Sequence, residues 1–97
     1  MMSAIENPKI SIDELNKLEE LIKENRAKFE DYSLLDNYLS FLGIDNFILS
    51  KLRDNRIDGY EDFIYQRKSF PSSSLNMLVG SVLGVISVLK KHISGKL

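Results

Sequence analysis

The side chains that could do chemistry in this chain are few. His92 is the single histidine and cysteine is absent. Neither a zinc site nor a Cys/His nucleophile–base pair can therefore be assembled. In the last turn of a helix, a cation such as His92 is favoured by the helix dipole alone. Asp54-Asn55-Arg56-Ile57-Asp58-Gly59 has the outline of a calcium loop. It fails because Arg56 stands at its third position and Tyr65 at its twelfth, where a bidentate Glu is required. Glu61 and Asp62 are adjacent, so on a helix they diverge by about 100° and make no acid/base pair. No Gly-rich phosphate loop follows a strand. The sequence therefore predicts a protein that is not an enzyme, with no metal, no cofactor and no small-molecule substrate.

What remains is contact chemistry, and the elements that present it read as helices. Ser11-Ile12-Asp13-Glu14 is a capping box. It opens a helix expected to run to about Phe29, with Leu15, Leu18, Leu21 and Ile22 on a narrow apolar stripe. Glu30-Asp31 reads as a break and Ser33 as the next cap. A second helix then carries Leu34, Leu35, Tyr38, Leu39 and Leu42, ended by Gly43. Asp45 is expected to cap a third helix (Phe47 to Asn55), and Asp58 a short fourth, with Phe63 and Ile64 facing inward. Pro71 and Ser72 to Ser74 punctuate the start of the last helix.

That last helix carries Leu75, Leu78, Val79, Val82, Leu83, Ile86, Leu89 and Ile93 at i, i+3, i+4, i+7 steps. Val85 and Val88 widen the stripe, and no charge occurs between Ser69 and Leu89. So apolar a helix is expected to be surrounded, by protein or by lipid. Gly80 and Gly84 within it are expected to admit a bulky neighbour, Phe41 or Phe63, or else the close approach of another helix. No run alternates between turns as a strand would. The fold class is all-α: a compact five-helix bundle, with residues 1–10 a flexible arm and residues 11–97 a single helical domain.

Charge is laid out unevenly. Residues 1–62 hold all 14 acidic residues and 8 of the 13 basic ones, while residues 63–97 hold five bases and no acid. A molecule with an acidic and a basic face can associate head to tail. The absence of cysteine fits a reducing compartment, and Met1 to Lys9 lack the apolar core of a signal peptide. A cytoplasmic location is expected.

From Tyr32 to Ile93 the chain resembles a sterile alpha motif (SAM) domain. The residues that carry the resemblance are Tyr32-Ser33, then Tyr38-Leu39-Ser40-Phe41-Leu42-Gly43-Ile44, then Phe47, then Asn55-Arg56-Ile57-Asp58-Gly59. Leu83-Gly84 with Ile86, Leu89 and Ile93 completes it. The SAM-like core would span residues 32–95, preceded by an extra N-terminal helix and closed by a long apolar C-terminal one. Tyr65 to Ser74 replace the family's usual segment before the last helix.

The resemblance implies an interaction module that pairs with itself or with another helical domain. The family's scheme joins an acidic mid-domain surface to the start of the last helix. Here the acidic candidates are Asp54, Asp58, Glu61 and Asp62. The complementary candidates are Ser74, Asn76 and Met77, with Arg67 and Lys68 beside them. Two alternatives stand beside this. A small acidic helical protein could neutralise a basic partner, as an immunity protein does. Or the last helix could anchor in a membrane, although Leu75 to Leu89 is shorter than the ~20 residues a span needs. Nucleic-acid binding is disfavoured, because five bases spread over two ends form no concentrated patch.

Overall fold

The computed structural model describes residues 10–94 and contains five helices. They are α1 (Ile12–Lys23), α2 (Phe29–Phe41), α3 (Phe47–Asp54), α4 (Tyr60–Ser69) and α5 (Ser73–Ser94). No strand occurs among the described residues. The fold is an all-α bundle, as the apolar spacing predicts.

The capping box at Ser11 forms as read: Ser11 Oγ accepts the Glu14 amide at 3.1 Å, and Glu14 Oε1 accepts the Ser11 amide at 2.9 Å. Ile10, placed in the arm by the sequence reading, is buried with the core. The rest of the expected arm, residues 1–9, and residues 95–97 lie outside the described residues.

α1 stops at Lys23, a turn and a half before the expected end. Asn25 takes a left-handed conformation (φ 59) there. The Arg26 amide donates to Leu21 O and the Asn25 amide to Ile22 O, the paired bonds of a Schellman stop. The same closure ends α2 at Gly43 (φ 90) and α3 at Arg56 (φ 63). At α1 Asn stands where glycine is the usual signal, which is why that stop was not legible, whereas α3 ends within a residue of the expected Asn55.

The break is therefore at residues 24–28, and Glu30-Asp31 belong to the first turn of α2. Ser33 lies inside that helix and caps nothing. Asp31 Oδ2 accepts the Lys28 amide at 2.8 Å instead. Phe29 opens α2 rather than closing α1, with its ring edge-on to Tyr60. The start of α5 is as expected: Ser72 Oγ accepts the Leu75 amide at 3.3 Å.

Asp45 does not cap α3, and Asp58 does not cap α4. The cap positions are Asn46, in a left-handed conformation (φ 52), and Gly59 (φ 104), and neither helix receives a side-chain bond from its cap residue. Gly59 thus stands at the start of α4. At α4 the Asp62 carboxylate reaches back to the Asp58 amide at 2.9 Å.

The core is continuous from α1 to α5. Leu15, Leu18 and Ile22 of α1 bury with Leu75, Leu78, Val79, Val82, Ile86 and Leu89 of α5. The two helices make the most extensive helix contact of the fold. Full burial of one such side chain contributes about 1.5–3 kcal/mol. Lys90 ties the seam at its rim, its Nζ 2.9 Å from Glu19 Oε1 and 3.0 Å from Asn16 Oδ1. This bond, more than any other effect, lowers the Glu19 pKa. On the other side Tyr32, Leu35, Leu39, Ile48, Leu52, Ile57, Tyr60 and Phe63 fill the space between α2, α3 and α4.

Candidate functional site

The polar side chains inside the fold hold helices together. Asp36 on α2 is 4% exposed. Its Oδ1 accepts the Ile48 amide at 2.9 Å and its Oδ2 the Leu49 amide at 3.2 Å. These are second and third residues of α3, whose amides have no partner within their own helix. Asp36 therefore caps α3 from another helix, the task that sequence reading gave to Asp45. Oδ2 also accepts the Tyr60 hydroxyl at 2.7 Å, which brings α4 to the same point. Burial, and then this bond, push the Tyr60 pKa up.

A signal for Asp36 exists in the chain. Tyr32, Leu35, Asp36 and Leu39 fall at i, i+3, i+4 and i+7, so a carboxyl group occupies a place in the apolar stripe. Leu34 and Leu42, expected in that stripe, are both exposed.

The predicted acidic group is only partly a surface. Asp54 ends α3, and Asp58 and Glu61 flank the start of α4; all three are exposed. Asp62 is half-buried, with Oδ2 engaged by the Asp58 amide and by Gln66 Nε2 at 3.2 Å. The clustering of Asp58, Glu61 and Asp62 at a helix N-terminus follows the helix dipole.

The predicted helix-start group divides. Arg67 is half-buried, and its Nη1 donates to Ile22 O at 2.9 Å, closing the C-terminal end of α1. Lys68 faces the α1–α2 connection, in a cleft shared with Lys28, Phe29, Glu61 and Ile64. Ser74, Asn76 and Met77 are exposed at the start of α5. Ser74 and Met77 line a shallow groove of about 370 Å³ with Lys51 of α3 and Asn55, the residue that follows it. The base beside this surface is thus Lys51, rather than Arg67 or Lys68. Met77, 73% exposed, is the most exposed large hydrophobic residue among the described ones.

α5 is not surrounded. Its outward side shows Met77, Gly80, Gly84 and Val88 to solvent. A Cβ added at Gly80 or Gly84 would meet nothing within 4 Å, so neither Phe41 nor Phe63 packs there. Phe41 is itself exposed and Phe63 is buried in the core. Ile44, at the end of the Tyr38–Ile44 motif, is 47% exposed.

Ile44 belongs to a second groove, of about 230 Å³ and nearly all carbon. Leu42 and Ile44 form one wall at the end of α2. Val85, Val88 and His92 of α5 form the other, and buried Leu39 and Leu89 complete it. Ser73–Ile93 is long and apolar enough to cross a membrane by length and composition, with a third of its most apolar stretch buried in the fold. Among the described residues no cluster of three or more His, Asp or Glu side chains could hold a metal ion. No family model, no curated protein and no solved structure matches the chain, so the SAM resemblance is carried by the residues quoted for it alone.

Proposed function

We propose that this chain is a non-enzymatic protein–protein interaction module. The observation that carries the proposal is Met77, held out at 73% exposure beside Lys51, Asn55 and Ser74. Methionine is flexible and polarizable, which suits a side chain that must adapt to a partner's surface. It lies at the start of α5, where the SAM resemblance puts one half of a pairing scheme. The exposed carboxylates Asp54, Asp58 and Glu61 supply the other half. Asp62 and Arg67 drop out of the contact, because their polar atoms already serve the fold.

Two unlike faces on one chain join head to tail, so association is open-ended and mass grows with concentration. It should weaken with salt, because the groups involved are at the surface. The test is the pair Asp58→Lys and Glu61→Lys, both at exposed positions. Loss of concentration-dependent mass with an unchanged helical spectrum supports the reading, and undiminished association refutes the mapping.

The exposed outer side of α5 supports a membrane-anchor reading as well. It requires α5 to give up its aliphatic contact with α1. A monodisperse preparation without detergent argues against it.

A further inference from the structure

Head-to-tail pairing needs a cation on one face to meet a carboxylate on the other, and the structure singles out one of each. In the groove beside Met77, Lys51 is the one charged residue of the lining among the described residues; Asn55, two serines and Leu78 complete it. The Lys51 side chain is held in place, its Nζ 5.4 Å from the centroid of the Phe47 ring, one turn back on α3. The ring face attracts the ammonium and fixes where it sits. Among the described residues no carboxylate pairs with it, since the ion pairs there are Arg26–Glu24 and Lys90–Glu19. On the acidic face the three exposed carboxylates differ. Asp54 lies three residues after Lys51 on α3, a neighbour of the cation on the same copy. Glu61 lines a cleft with Arg26, Lys28 and Lys68 of its own chain. Asp58 stands exposed in the turn before α4. Its amide donates to Asp62, but among the described residues its carboxylate enters no ion pair.

We infer that Lys51 of one copy pairs with Asp58 of the next, and that this pair determines which surfaces join; the inference rests on the interaction reading above and names the residues that give it specificity. An ammonium and a carboxylate that are both unpaired within the chain gain a partner only across the contact. Opposition of unlike charge fixes register and suppresses wrong partners more than it adds raw affinity. Met77, beside Lys51 in the groove, then covers apolar surface next to the pair. The pairing is heterologous, one surface against a different one, so each copy keeps a free Lys51 at one end and a free Asp58 at the other, as open-ended growth requires. Arg67 and Lys68, the bases closest in sequence to the α5 start, take no part.

The experiment is sedimentation velocity on the full chain, without detergent, over a concentration series. Lys51→Gln should raise the dissociation constant of the contact about threefold, the effect of losing one surface ion pair. Lys51→Glu and Asp58→Lys each set like charges against one another, and either alone should weaken the contact about tenfold or more. Mixed in equal amounts, these two single variants restore an opposite pair wherever they alternate, so the mixture should regain most of the lost mass. Recovery on mixing is the result a general loss of fold could not give. A mixture no heavier than its two components overturns the pairing. So does association that Asp58→Lys with Glu61→Lys abolishes but Lys51→Glu leaves unchanged, in which case the interaction reading stands without it. Undiminished association in the Asp58→Lys, Glu61→Lys chain, or a wild-type monomer at every concentration, overturns both.

Discussion

Along the seam between α1 and α5 every buried side chain is aliphatic, whereas α2, α3 and α4 converge on one buried acid. Two kinds of cohesion therefore hold one small bundle. Aliphatic burial is spread over many contacts and has no direction, so any residue of similar volume serves. The Asp36 cluster is directional. Two amides and a hydroxyl point at two oxygens, and an aliphatic side chain of the same volume could accept none of the three. The seam should therefore tolerate changes of type that keep shape, and the acid should not.

The largest effect expected is from Asp36→Leu, which leaves two α3 amides and the Tyr60 hydroxyl buried without an acceptor. At about 1–3 kcal/mol for each such group the loss should reach about 3–5 kcal/mol in urea denaturation. Hydrogen exchange at Ile48 and Leu49 should quicken more than exchange in α1. Asp36→Asn keeps the volume and one acceptor, and should still cost about 2 kcal/mol.

On the seam, Ile86→Ala should cost about 3 kcal/mol through lost burial and the cavity left behind. Ile86→Leu should cost less than about 1.5 kcal/mol. If Asp36→Asn proves milder than Ile86→Leu, the contrast between the two regions fails.

Tyr60→Phe removes only one of the three donors, so a loss of about 1 kcal/mol at neutral pH is expected. Its pH dependence is more telling. The folded protein holds the Tyr60 proton to higher pH than the unfolded chain does. The stabilisation is thus fully present below the ordinary tyrosine value of 10.0 and falls as pH rises beyond it. The slope is about 1.4 kcal/mol per pH unit for each such group. Burial raises the Tyr32 pKa too, with the Arg67 charge opposing it. Thermal melts above pH 10 should therefore show a shallower decline in Tyr60→Phe, with the Tyr32 share remaining.

The smallest effect has the opposite sign. Arg56 holds a left-handed conformation at the end of α3, where a Cβ is strained. Arg56→Gly should raise stability by about 0.5–1 kcal/mol, read as a higher midpoint in the same urea titration.

The same contrast explains what the sequence made legible. The buried faces of α1 and α5 followed from spacing, because Leu15, Leu18 and Ile22 and the α5 series repeat at helical intervals, but that the two faces meet each other did not follow from it. Ser11 and Ser72 were legible as caps because their bonds are local. Asp36 was not, because its partners lie 12 and 24 residues away and the residue alone looks like a surface acid. The stop at Asn25 was hidden because the residue that takes the left-handed turn there is not the glycine that usually announces one. The candidate contact residues divided on the same line. Asp54, Asp58, Glu61 and Met77 stay at the surface, while Asp62 and Arg67 turned out to serve the fold through bonds that periodicity does not report.

The central claim, that this chain associates with further copies of itself through its acidic face and the start of α5, is tested most directly by sedimentation velocity of the unmodified chain. It should be run without detergent, over a wide concentration range, at low and high salt. The account predicts reversible head-to-tail association, weakened by salt. A monomer at every concentration and in both salts would contradict it.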